Sequence, residues 1–184
     1  MTREEWLNRA IIKLNEDVFG ANGELPPRVH VSVGFPGGGS KHSRIGEYWP
    51  AQFSKDGVAQ IFINPKLEDT QQVLAVLAHE LIHAIHPEDN HSKGFIRVAK
   101  KIGLVRPWTA TTASDELKVK LDNIKSHIGD YPHKAMLIDK TTPSKKSLNK
   151  MSCTVCGLTV FMTEKNKEKS HNLSCCDMEL ECQN

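Results

Sequence analysis

Val73-Leu74-Ala75-Val76-Leu77-Ala78-His79-Glu80-Leu81-Ile82-His83-Ala84 is the stretch on which the reading of this chain turns. Apolar residues run into an H-E-x-x-H pattern. On an α-helix, side chains four apart stand on one face a turn apart. His79 and His83 can therefore offer two imidazole nitrogens to one metal ion. Zinc suits imidazole, and a catalytic zinc keeps a position for water, whose pKa it brings to about 7. Glu80 stands beside His79, just off the ligand face. It is placed to act as general base and to return the proton to a leaving amine. Three fixed residues in five recur by chance, and two solvated or core histidines on a helix are the plain alternative. The apolar run favours the metal, because buried imidazoles and a buried carboxylate need partners.

A hydrolytic zinc takes three protein ligands as a rule. Downstream stand His86, Glu88, Asp89 and His91. His86 is too far along a continuing helix to converge with His79, and Pro87 disfavours helix at His86, marking the end of the element. The chain can then turn through residues 87–90 and bring His91 back. Asp89 sits where the longer H-E-x-x-H-x-x-G-x-x-H pattern places its third ligand, although His86 replaces that pattern's glycine. His91 is the preferred third ligand and Asp89 the alternative. His86 is read as a surface histidine or one standing behind the ligands.

His79-Glu80-Leu81-Ile82-His83-Ala84 followed by His91-Ser92-Lys93-Gly94-Phe95 resembles the SprT-like (Spartan-type) zinc metallopeptidases. Ile45-Gly46-Glu47, Gln60-Ile61-Phe62-Ile63 and Tyr131-Pro132-His133 also resemble SprT-like proteins of phage genomes. Ser92 stands where the family often has glycine. The resemblance covers residues 1–137 and extends to the cysteine-bearing C-terminus. It implies protein substrates near DNA, and a C-terminal ribbon that recruits or senses nucleic acid.

The chain has 184 residues and a net charge of +2, too small to require a nucleic-acid partner. No apolar run approaches the roughly 20 residues that span a bilayer. The charged opening Met1-Thr2-Arg3-Glu4-Glu5-Trp6 lacks a signal-peptide core, so an intracellular protein is expected, with no membrane partner. All five cysteines lie from Cys153 onward, and their odd number argues for metal over disulfides.

Periodicity supplies the remaining elements. Helices are expected over 2–19, 70–86 (capped by Asp69 or Thr70), 92–102 and from Ser114 to about 128. Strands are expected around Val29–Val33, Ile45–Trp49 and Val58–Ile63. The last of these, directly before the motif helix, is expected to wall the cleft. A free edge of the sheet can accept an extended peptide. The run from Gly34 to Lys41 fails the phosphate-loop pattern, because Ser40 precedes Lys41. Tyr131 or His133 can stabilise an oxyanion beside the metal; packing in a turn is the competing reading.

From Lys118 to Lys150 eight lysines face three aspartates, a local +5. Residues 138–150 read as a basic linker, either a solvated segment or a strip touching DNA phosphates. Cys153-Thr154-Val155-Cys156-Gly157 is a knuckle offering two thiolates to zinc. The resemblance suggests Cys175 and Cys176 as the second pair. The adjacency of those two demands a strained turn, so Cys176 with His171 stays open, and Cys182 is read as a free thiol.

The expected protein is thus α+β. A small zincin-like metallopeptidase domain over 1–137, helices on a short mixed sheet, is followed by a zinc ribbon over 151–184. His79, His83 and His91 hold a catalytic zinc, Glu80 moves the proton, and a structural zinc occupies the ribbon. The rival is a nucleic-acid-binding or regulatory zinc protein with a non-catalytic H-E-x-x-H domain.

Overall fold

A computed structural model describes residues 1–20, 26–37, 44–137, 148–169 and 173–183. The chain divides into two compact units, Met1–Ile138 and Asp139–Asn184.

The first unit opens with α1 (Arg3–Leu14). The Thr2 hydroxyl accepts from the Glu5 N–H, and the Glu5 carboxylate accepts from the Thr2 N–H, a reciprocal cap. Trp6, Leu7, Ala10 and Leu14 form its buried stripe. The helix widens into a π turn over Asn15–Phe19, which brings both Val18 and Phe19 into the core. Then come β1 (Val29–Val33), β2 (Gly46–Trp49), a short 3₁₀ turn (Ala51–Phe53), β3 (Ala59–Ile63), α2 (Thr70–Ile85), α3 (Lys93–Ile102), the two-residue β4 (Leu104–Val105) and β5 (Thr112–Ala113), and α4 (Asp115–Ile128).

The sheet runs β1-β3-β2, with β1 parallel and β2 antiparallel to β3. Strand side chains alternate between faces. Val29, Val31, Ala59, Ile61 and Ile63 are buried on the face that α1 and α2 cover. Gln60, Phe62, Glu47 and Trp49 stand on the opposite, wetter face. One expectation is corrected here. β3 precedes α2 directly, yet it is the central strand; β2 lies at the edge and borders the motif helix.

α2 sits in the middle of the core, with eleven of its sixteen residues buried. The Asp69 carboxylate caps it by accepting from the Gln72 N–H at 2.7 Å. It ends at Ile85, just before the His86-Pro87 pair. Ser114 caps α4, and Gly103 closes α3 at φ 95°, a left-handed stop that favours glycine.

The second unit contains β6 (Asn149–Ser152), β7 (Thr159–Met162), α5 (Glu164–Lys169), β8 (Ser174–Cys175), β9 (Met178–Glu179) and β10 (Glu181–Gln183). Its main sheet is antiparallel, in the order β10-β6-β7. The expected linker therefore ends too late: Asn149 and Lys150 already pair with Met162 and Phe161. Residues 138–147 of that linker lie outside the described residues. The buried core here is Met151, Cys153 and Leu180, with four partly buried neighbours. No helix among the described residues is long and apolar enough to cross a membrane.

Leu77 is fully buried on α2. Leu77→Ala is expected to cost about 2–5 kcal/mol, read as a lower urea midpoint for the first unit with an unchanged slope.

Candidate metal centres

α2 places His79 and His83 one turn apart, and His91 approaches from the loop before α3. The Nε2 atoms of His79 and His83 each lie 3.1 Å from Nε2 of His91. All three ligand atoms fall within 4.8 Å of one another. Zinc–nitrogen bonds of 2.0–2.1 Å at tetrahedral angles set ligand nitrogens about 3.3 Å apart. The trio fits that spacing. Burial, then the neighbouring imidazoles, pushes His79 down to about 3. Burial and His91 push His83 down to about 4. Both rings are therefore neutral at pH 7, which leaves lone pairs for a metal.

His79 Nδ1 lies 2.8 Å from the Thr111 hydroxyl. That contact holds the ring with Nε2 turned toward the other histidines, and the hydroxyl can accept from Nδ1–H when Nε2 offers its lone pair. The Phe95 ring touches all three imidazoles at centroid distances of 4.7–4.8 Å, and Tyr48 of β2 stacks on His83.

The structure separates the two candidates for third ligand. The Asp89 carboxylate is engaged in capping α3. It accepts from the N–H groups of Ser92 and Phe95 at 2.9 Å each and from the Ser92 hydroxyl. Those bonds, the Ser92 hydroxyl first, hold its pKa below the usual carboxylate range. Asp89 thus positions the turn, and His91 is the residue whose nitrogen joins those of His79 and His83. His91 adopts φ 58°, a left-handed conformation sparsely used by non-glycine residues. Gly94 makes the cap possible: a Cβ there would overlap the Asp89 Oδ2 atom and come within 3.3 Å of His86 Nδ1. His86 stands outside the trio, 3.4 Å from the Arg97 guanidinium.

Glu80 is 6% exposed. Burial pushes its pKa up to about 8, with the Glu47 charge adding and Arg44 opposing. β2 lies directly against it. A Cβ on Gly46 would reach 2.7 Å from Val76 Cγ1 and 3.0 Å from Glu80 Cδ, and would overlap Glu80 Oε1. Only glycine lets the strand approach this closely. A cavity of about 360 Å³ opens over the three histidines and Glu80, walled by Arg44, Glu47 and Tyr48. A second, of about 230 Å³, shares Arg44, Gly46, His79, Glu80 and Thr109 with it. Neither is lined by β3; the strand wall is β2.

Tyr131 and His133 pack in a turn, the competing one of their two readings. Neither lines either cavity. Tyr131 is buried edge-on to Trp6 at 5.1 Å, and its N–H donates to the Thr70 hydroxyl. Thr70 is the first residue of α2, about 13 Å along the helix from His79. His133 Nε2 lies 2.9 Å from the Pro65 carbonyl oxygen, and Nδ1 lies 3.2 Å from Arg3. Both residues fasten the far end of α2. The polar groups beside the histidines are instead Arg44, Tyr48 and Thr111, which no sequence motif marks.

The second centre gathers Cys153, Cys156, Cys175 and Cys176, all four sulfurs within 4.8 Å. Cys156 Sγ lies 3.4 Å from Cys175 Sγ, which lies 3.8 Å from Cys176 Sγ. Zinc–sulfur bonds of 2.3 Å set tetrahedral sulfurs about 3.8 Å apart, so this set also fits a metal. The first knuckle closes through the Gly157 N–H to the Cys153 carbonyl, with Gly157 at φ 76°. The adjacent pair is accommodated by a two-residue hairpin turn between β8 and β9. Cys176 and Asp177 both take left-handed φ, 54° and 59°. The Leu158 N–H, then the neighbouring thiols, lowers Cys156 to about 7, toward the thiolate that binds metal. His171 and the Cys182 side chain lie outside the described residues.

Compared with family models, curated proteins and solved structures, the chain has no match.

Two outcomes follow for metal content measured by elemental analysis. Gly94→Ala is expected to empty the histidine centre while the cysteine centre stays loaded. Thr111→Val is expected to weaken the histidine centre about 10–100-fold.

Proposed function

We propose that the first unit is a zinc metallopeptidase domain of SprT-like type and that the second is a structural zinc ribbon. The observation that carries this reading is the difference between the two centres. Four thiols close the cysteine set on all sides. Three imidazoles hold one face of the histidine set and leave the other open to a cavity that contains a buried glutamate. Closed sets serve structure, and open sets serve catalysis.

Zinc held by His79, His83 and His91 would supply Lewis acidity toward a water molecule and a peptide carbonyl. The chain's own part is then proton transfer and orientation. Glu80 takes the water's proton and delivers it to the leaving amine. Burial raises the Glu80 pKa; the charge of a bound zinc would oppose that and favour the carboxylate that the base role needs. Thr111 orients the His79 ring and can accept its Nδ1–H in the ligating tautomer. Arg44, held at 2.6 Å by the Glu47 carboxylate, is the cation on the cavity wall, in the place the sequence reading gave to Tyr131 or His133.

β2 orients the substrate. The Asn64 N–H bonds the Ile45 carbonyl, which marks a hydrogen-bonded pair of the antiparallel ladder. Alternation then turns the backbone groups of Glu47 toward β3 and those of Gly46 and Tyr48 toward the open edge. An extended peptide adds along that edge beside the histidines. We take the substrates to be proteins, DNA-associated ones by the SprT-like resemblance, with the lysine-rich segment and the ribbon as the DNA contacts. A binding protein with an inert centre would have no use for Glu80 at the cavity wall.

Glu80→Gln is expected to retain both metals and to lose about 10²–10⁴-fold in cleavage of a DNA-binding protein. The assay is run with and without single-stranded DNA. Full metal content with no cleavage by the unsubstituted chain under either condition would remove the peptidase reading.

A further inference from the structure

The largest exposed aromatic surface among the described residues has no part in the chemistry above. Trp49 is 41% exposed and Phe53 66%, their rings edge-on at 5.7 Å. Together with Phe35 and Phe62 they line a groove of about 410 Å³ on the outer face of the sheet. Trp49 is fixed there, because its Nε1–H donates to Glu47 Oε2 at 3.0 Å. The same carboxylate accepts from the Gly37 N–H at 2.6 Å and so anchors the chain just after Phe35. Exposed, contiguous aromatic surface of this kind marks an interaction site.

Two features identify the occupant. Glu47 lines both this groove and the cavity over the histidines, so the edge strand β2 borders both. Along β2, Gly46 and Tyr48 face α2, against Glu80 and His83, while Glu47 and Trp49 face the groove. A strand added to that edge continues the same alternation, one residue toward the histidines and the next toward the aromatics.

We propose that this groove is a second binding site, which takes a bulky apolar side chain of an extended peptide whose neighbouring residue faces the histidine centre. The inference deepens the peptidase reading by naming a substrate class. Chains with an aromatic or large aliphatic residue next to the scissile position gain burial against Trp49, Phe53 and Phe62. Chains with glycine there do not. An apolar contact of this size is worth about a tenfold difference in affinity.

The test uses the full chain, zinc-loaded and carrying Glu80→Gln to prevent turnover. Two fluorescein-labelled decapeptides serve as probes, one with phenylalanine at every second position and one with glycine in its place. Fluorescence anisotropy should show the phenylalanine peptide binding about tenfold tighter. Phe53→Ser, at an exposed position that leaves the core intact, should abolish the difference. Phe35→Ser should reduce it. Equal binding of the two peptides, or a preference that survives both substitutions, would overturn the proposal. Cleavage by the unsubstituted chain is read separately. Selective binding without cleavage of either peptide would count against the peptidase reading and for the groove.

Discussion

Three neutral imidazoles must face one point, and the rest of the first unit follows from that requirement. Imidazoles at 3.1 Å cannot all be protonated, and they hold that spacing only where the elements that carry them are fixed. The protein meets the first condition by burial and the second by rigidity. α2 is packed on most of its surface, Phe95 fills the space under the three rings, and Thr111 holds one ring in orientation. The sheet and the other helices keep α2 in place. Tyr131 and His133 contribute at its distant end, where they join the chain after α4 to Thr70, Pro65 and Arg3.

The two units solve opposite problems with similar groups. The first has a core of nearly thirty buried apolar residues, so it can keep three imidazoles together beside an open cavity. Among its described residues the second buries just three apolar side chains, Met151, Cys153 and Leu180, little surface to order a unit of this size. A metal held by the four cysteines would add folding energy there.

Much of this was legible in the sequence because it is local. Helix starts at Asp69 and Ser114, the end of α2 before Pro87 and the left-handed stop at Gly103 are determined by neighbouring residues, and they appear where expected. His79, Glu80 and His83 come from helix periodicity alone. What stayed hidden depends on packing across the chain. Strand order is set by which edges pair, so the central position of β3 could not be read from its place before α2. Thr111 is thirty-two residues from His79, and no motif links them. Asp89 and His91 were both plausible ligands by type. The choice rested on the N–H groups of Ser92 and Phe95, which claim the carboxylate. Tyr131 and His133 could be read either as oxyanion groups or as packing, and contacts across the chain place them in a turn.

The cap that Asp89 places on α3 has a consequence for how the centre assembles. All three ligating histidines and the carboxylate that shapes their turn lie between residues 79 and 95. The ring closed by a metal there is short, so its entropic cost is small and it can form before β2 or the Thr111 segment docks. Gathering the three histidines is therefore a local property of one helix–turn–helix segment. The cavity over them is not, since Gly46 and Arg44 arrive from thirty to forty residues upstream. A lineage could lose the second and keep the first, and would then carry the three imidazoles without the walls that face them.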